Sequence, residues 1–298
     1  AASEAAARYG IPSSFTDYHQ LLAREDIQAV VIATPTGTHA QVIADAAAAG
    51  KQIFCEKPLA QTLQACDAAL AAVQKAGVKL QMGLMRRFDP AYVAARQQID
   101  AGIIGKPVMF KSVSRDPKRT SLEFARRENS GGMIMDMGVH DFALARWLMG
   151  SEVVEVHSLG GALAFPELKD VGDIDNAVMN LSFENGAIGN IDLSRNAVYG
   201  YDIRTEVLGT EGSLWIGYLQ QTATLVLNRQ GVPHDTVPYF MERFTIAYAD
   251  QVRAFVRCLV ENTPTPVTGL DARAATAIGI AATRSLDEHR PVKLSEVE

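Results

Sequence analysis

The chain is predicted to be α/β in its first third and α+β thereafter: a parallel sheet, then a large, mostly antiparallel open sheet packed against helices. Two observations carry this expectation. First, uninterrupted apolar runs at Ala29–Pro35 (AVVIATP), Gln52–Pro58 (QIFCEKP) and Lys79–Met85 (KLQMGLM) alternate with Ala-rich helical stretches at Thr38–Ala49 and Leu59–Ala76. Strands buried on both faces read this way, and short connections through helices make their sheet parallel with right-handed crossovers. Second, from about Tyr201 back to His157 and on to Asn228 the period becomes two, with Asn185-Gly186, Gly209–Gly212 and Gly231 as punctuation. Hairpin-linked strands with one buried face follow from that pattern.

In order, Ala1–Tyr9 is helix-forming and is ended by Gly10 and Pro12, and Asp17–Arg24 is a short amphipathic helix. The three apolar strands and two helices follow, with Gly50 and Gly77 as helix caps. Asp89–Asp100 is a helix and Gly105–Ser114 a strand; Gly131–Leu148 (GGMIMDMGVHDFALARWL) is a helix with Met133, Met137, Leu144 and Leu148 at helical spacing. Strands are expected at His157–Ala164, Asn176–Phe183, Gly186–Ser194, Tyr201–Gly209, Gly212–Gly217 and Ala223–Asn228. A helix from about Thr245 to Glu261 and a last one at Leu270–Asp287, joined through Thr263–Pro266, close the chain. The boundary falls near Arg86, giving domains of residues 1–85 and 86–298.

Composition removes several classes. The 298 residues carry a formal charge of −6, which argues against nucleic acid, whose phosphates need clustered Lys and Arg. No apolar run reaches the length of a membrane span and no signal peptide opens the chain. Cys55, Cys66 and Cys258 lack metal-ligand spacing and read as reduced thiols of a cytoplasmic protein. No metal site is expected.

Ligands of open parallel sheets sit beyond the carboxyl ends of the strands. Here those ends are Thr34–Pro35, Cys55–Pro58 and Leu84–Arg87, all polar or proline-bearing, and they are expected to share one cleft. Lys57 could there be a proton donor, an anion anchor or a solvated rim charge; Pro58 restricts it to an extended backbone, which aims the side chain. Asp136 and His140 lie four apart and so stack on one helix face. Such a pair builds a general acid/base, and it equally well locks a helix into a core.

Three motifs in this order, ATP…H (Ala33, Thr34, Pro35, His39), CEKPL (Cys55–Leu59) and GG…D…GVHD (Gly131–Asp141), resemble the glucose-fructose oxidoreductase/inositol dehydrogenase (Gfo/Idh/MocA) family over essentially the whole chain. Within it, MRRFDPAY (Met85–Tyr92), Ser194–Gly212 and YFMERF (Tyr239–Phe244) are similar to bacterial inositol 2-dehydrogenases. The resemblance implies a Rossmann domain, a sheet-based substrate and oligomerisation domain, a homotetramer, and NAD as cofactor with NADP not excluded. It implies oxidation of a cyclic polyol hydroxyl to a ketone, myo-inositol being favoured over scyllo-inositol or a pyranose sugar. By motif, Lys57 would hold the reacting hydroxyl and the nicotinamide, His140 would take the hydroxyl proton, and Asp136 would orient His140 and bind a neighbouring hydroxyl. Arg87, Asp116, Tyr199 and Tyr201 would be further substrate contacts, and Ala33, Thr34, Pro35, His39, Glu56 and Lys57 would meet the cofactor. Strand alternation would put Tyr199 and Tyr201 on one face.

The sequence departs from the family in lacking the opening strand and G-x-G-x-x-G; Leu159–Ala162 (LGGA) has no following helix and does not substitute. It reads as starting roughly 35–45 residues late, a length taken from the usual βαβ unit. That would leave Ala29–Pro35 as an exposed apolar edge. A cofactor-free sugar-binding relic is the alternative this departure raises.

Overall fold

The structure, a computed structural model, describes residues 2–229 and 231–298; Ala1 and Gln230 lie outside the described residues. Helices α1 (Ala2–Tyr9) and α2 (Tyr18–Leu22) lead into β1 (Ala29–Ile32), α3 (His39–Ala48), β2 (Gln52–Glu56), α4 (Leu63–Ala76) and β3 (Leu80–Gly83). The three strands pair in parallel in the order β1-β2-β3. Ile53, Phe54, Cys55 and Met82 are sealed from solvent, as continuous apolar strands require. β1 is one edge, and its Val31 is 60% exposed.

After a turn at Met85–Phe88 come α5 (Pro90–Asp100), β4 (Pro107–Arg115), α6 (Leu122–Ala125), α7 (Arg127–Ser130) and α8 (Gly132–Met149). The rest is β5 (Val153–Gly161), β6 (Asn176–Phe183), β7 (Ile188–Ser194), β8 (Asp202–Gly209), β9 (Ser213–Gly217), α9 (Phe240–Val260), α10 (Gly269–Glu288) and β10 (Val292–Lys293). Seven strands form the second sheet, in the order β10-β5-β6-β7-β4-β8-β9. Every pairing is antiparallel except β4 with β7. Along β6, Ala177, Met179, Leu181 and Phe183 are buried while Val178 and Asn180 face out, so one face meets helices and the other is open. α8 is buried nearly all round, held between the sheet and α10.

The parallel β4–β7 pair decides where chemistry can collect. Arg115 pairs with both Ser194 and Asp202, so the carboxyl ends of β4 and β7 and the start of β8 lie at one edge of the sheet. Asp116, Arg195 and Tyr201 emerge there together. The chain also returns to the first sheet late: the Met82 N–H donates to Val267 O at 3.0 Å, and Thr265 Oγ1 donates to Leu80 O.

Three expectations about elements are corrected. Ala223–Asn228 is no strand: Leu225, Val226 and Leu227 are exposed, and among the described residues Asn228 and Gly231 form an isolated bridge rather than a ladder, so β-propensity alone does not make a strand here. α9 starts at Phe240, not Thr245, because Arg243 is tied to Asp89 at 2.6 Å and Phe244 enters the core, where the helix kinks. β8 starts at Asp202, which leaves Tyr199 and Tyr201 in the preceding turn.

Candidate active site

A cleft of about 300 Å³ opens where the two sheets meet, small enough for a compact ligand. It is lined by Lys57, Arg86, Asp116, Asp136, His140 and Tyr201, with Phe124, Tyr239, Phe240 and Tyr248 as aromatic walls. Each arrives for a local reason. Lys57 follows the last residue of β2, at the carboxyl end of the first sheet. A Cβ at Gly83 beside it would stand 2.7 Å from the Glu56 carboxylate, so a larger residue there would displace that side chain. Asp136 and His140 lie one turn apart on the cleft face of α8, whose first turn is tied to the fold by Asp173 accepting from the Met133 N–H at 2.8 Å.

Lys57 Nζ donates to Asp136 Oδ1 at 2.9 Å and to the Asp136 backbone carbonyl at 2.8 Å. Arg195 holds the other carboxylate oxygen at 2.9 Å and also donates to Thr120 Oγ1. Burial alone would raise Asp136, but these two cations outweigh it and hold the carboxyl below its ordinary range. His140 is 7% exposed, and burial, then the charges of Lys57 and Arg86, push it well below the usual imidazole value. The ring is therefore neutral at pH 7. Its Nδ1 is sealed without a partner, which leaves Nε2 as the nitrogen open to the cleft. Asp116 shifts the other way: burial, against Arg195 and with Asp136 adding to it, pushes its carboxyl up to about 6.

The sequence-stated partners are partly redistributed. Asp136 has its described side-chain hydrogen bonds with Lys57 and Arg195 rather than with His140, so it does not orient the ring as expected. Arg87 does not reach the cleft: it pairs with Asp271 at 3.2 Å and stacks on Trp147, while its neighbour Arg86 lines the cleft and pairs with Asp141 at 2.9 Å. Tyr199 and Tyr201 part company because Gly200, at φ +134°, breaks the alternation. Tyr201 enters the cleft, whereas Tyr199 bonds Asp202 at 2.8 Å and lines a separate hollow with Arg115 and Asp192.

Of the cofactor-side residues, Ala33, Thr34 and Pro35 form an exposed shelf at the carboxyl end of β1, where a Cβ on Gly37 would meet only open space. His39 is a staple beneath it: its two ring nitrogens face the carbonyls of Thr34 and Pro58, both at 2.8 Å, which leaves neither for a ligand. Glu56 turns away from the shelf toward Gly83 and Gln251, and burial raises its carboxyl. An open, rigidly backed shelf leading to Lys57 fits the nicotinamide end of a dinucleotide.

Arg195, Thr120, Phe124 and Tyr248 were not singled out from sequence. The aromatics of Tyr239–Phe244 were a visible signal; Arg195 was not, because only the β4–β7 pairing brings it to Asp136. The three cysteines are buried and free, and burial pushes the Cys66 thiol up to about 11, which disfavours its thiolate.

Comparison with known proteins agrees with this geometry. Residues 1–84 match the oxidoreductase family with an NAD-binding Rossmann fold, and residues 92–215 match the GFO/IDH/MocA C-terminal domain. The chain is 42% identical over 294 residues to scyllo-inositol 2-dehydrogenase (NAD(+)) of Bacillus subtilis, covering 98% of this chain and 85% of that protein. It is 38% identical to myo-inositol 2-dehydrogenase of Thermotoga maritima, covering 97% and 86%. The structure of scyllo-inositol dehydrogenase from Lactobacillus casei with bound NAD(H) and scyllo-inositol superimposes with a TM-score of 0.94 at 31% identity, covering 98% of this chain and 88% of that one. With Lys57, Asp136 and His140 gathered in one cleft beside a Rossmann sheet, and with these relatives, the chain belongs to the Gfo/Idh/MocA family of NAD-dependent oxidoreductases.

Proposed function

We propose that the chain oxidises one secondary hydroxyl of a cyclic polyol to the ketone, with myo-inositol as substrate and NAD as electron acceptor. The observation that carries this reading is a cationic Lys57 and a neutral, deeply set His140 facing one small cleft. Removing a proton from an alcohol needs a base that is unprotonated at working pH and a cation beside the developing oxyanion. His140 Nε2 takes the hydroxyl proton, Lys57 Nζ stabilises the oxygen, and Asp136 holds Lys57 in place. Ala33, Thr34, Pro35 and Lys57 hold the cofactor, which supplies the two-electron acceptor when bound. Phe124, Tyr239, Phe240 and Tyr248 keep water from the reacting carbon.

A second reading, scyllo-inositol as the preferred substrate, is favoured by the identity to the Bacillus subtilis relative. Mixing this chain with NAD and either inositol, and following NADH by absorbance, tests both. Formation of NADH that Lys57→Ala eliminates is the expected result, and the ratio of kcat/KM for the two inositols decides between them. Silence from a protein folded by circular dichroism rejects the reading.

We also propose a cytoplasmic homotetramer assembled through the open face of the second sheet. Val178, Ile188 and Trp215 are exposed there, and the cysteines are free. Among the described residues no helix is long and apolar enough to cross a membrane. Sedimentation velocity tests the assembly; a monomer at micromolar concentration rejects it.

A further inference from the structure

We infer that the cleft selects substrates by charge: among the described residues Asp116 is its one carboxylate without a direct ion-pair partner, so it takes neutral or ammonium-bearing cyclic polyols and turns away those bearing a carboxylate or phosphate. This deepens the polyol reading above and rests on the same cleft.

Every other charged group at the cleft has a direct partner. Lys57 and Arg195 are both bound to Asp136 at 2.9 Å, Arg195 also faces Asp173 at 3.4 Å, and Arg86 is bound to Asp141 at 2.9 Å. Three cations thus stand against three carboxylates, and His140 is neutral. Asp116 is left over. It lines the cleft, and no described side chain makes a hydrogen bond or ion pair with its carboxylate. Its backbone is fixed, with its N–H on Ser194 O at 2.8 Å and its carbonyl accepting from Ala197, which keeps the residue at the cleft.

The groups that face Asp116 come from every neighbouring element. They are Lys57 beyond β2, Arg86 in the turn after β3, Asp136 on α8, Arg195 after β7, Tyr201 before β8 and Tyr239 before α9. His140 shares the cleft. Lys118, two residues on, is exposed over the Tyr239 ring at 5.4 Å, at the rim where solvent screens it. Behind the wall, Glu56 acts on Tyr248 and adds negative rather than positive charge. Above pH 6 Asp116 is ionised, and a second anion within several ångströms in this partly buried site costs on the order of tenfold or more in affinity.

The test uses three cyclohexane polyols on the NAD-loaded protein: myo-inositol, an analogue with one hydroxyl replaced by an amine, and quinate, which carries a carboxylate. Dissociation constants are measured by titration calorimetry at pH 7.5, so turnover is not needed. The amino analogue is expected to bind at least as tightly as myo-inositol, and quinate about tenfold or more weakly. Asp116→Asn is expected to bring the three within about threefold of one another, which separates charge from size. Wild-type protein at pH 5, where Asp116 holds a proton while quinate stays ionised, gives the same narrowing without a variant. Quinate bound as well as myo-inositol, no ligand bound at all, or a gap unchanged in both the variant and acid overturns the inference. Absence of NADH with the charge order intact instead removes the dehydrogenase reading and leaves the inference standing.

Discussion

Arg195 donates to Asp136 Oδ2 at 2.9 Å from a position that solvent does not reach, opposite the oxygen held by Lys57. The carboxylate is thereby gripped from both sides, and it can serve Lys57 only in the orientation Arg195 allows. Arg195 is a positioning residue, and its replacement should show both roles. Arg195→Met leaves Asp136 with Lys57 alone and takes the cation from Asp173, and is expected to cost about 3–5 kcal/mol, read as a lower Tm. Arg195→Lys restores the charge but loses the fork between Asp136 and Thr120. It should regain much of the Tm while kcat stays depressed with little change in KM. Full recovery of kcat in the lysine variant would reduce Arg195 to structure alone.

His140 sets the acid side of the pH profile. Burial and two neighbouring cations lower its pKa well below 6.5, so the neutral base persists into mildly acidic solution. The expected kcat/KM is flat through neutrality and falls only well below pH 6.5, and His140→Ala lowers kcat by about 10²–10⁴. The sign for stability follows from the same depression. An unfolded histidine gains its proton near 6.5 while the folded one does not, so His140 weakens the fold as pH drops below that value. An activity profile centred at 6.5 would remove His140 as the base.

Asp116 has the opposite sign. Its folded pKa of about 6 lies above the unfolded value of 3.8, so its protonated form is favoured by folding and stability is lost as pH rises through 6. Asp116→Asn should therefore raise Tm at pH 8, by the equivalent of roughly 1–2 kcal/mol after allowing for solvent, and change it little at pH 4. Thermal unfolding of both proteins across that range measures it; a Tm gain of equal size at both ends would mean that ionisation is not the cause.

Arg86 and Arg87 should behave unlike each other despite being adjacent. Arg86→Met leaves Asp141 buried without its cation, at a cost of about 3–5 kcal/mol. Arg87→Ala removes a pairing with Asp271 at the side of the fold and is expected to leave KM for the polyol within about twofold. Steady-state kinetics with paired unfolding curves separates them, and a tenfold rise in KM for Arg87→Ala would place that residue back in the cleft.

The succession of two sheets, the long central helix and the placing of Lys57, Asp136 and His140 where they can meet are all legible in the order of residues. Apolar runs and period-two alternation are local consequences of how much of each strand is buried, so they are written in the order of residues. Helix spacing likewise placed Asp136 and His140 on one face of α8 without any structure.

Which side chains become partners depends on packing in three dimensions. The unbroken alternation expected around Gly200 failed because a residue at φ +134° turns the chain, and one arginine of an adjacent pair faces the cleft while the other faces Asp271. Arg195 reaches Asp136, and Asp116 goes unpaired, because β4 and β7 run parallel side by side across 77 residues of sequence between Arg115 and Asp192. Charge pairing acts over a few ångströms in space, and spacing along the chain carries no record of which strand ends will lie together.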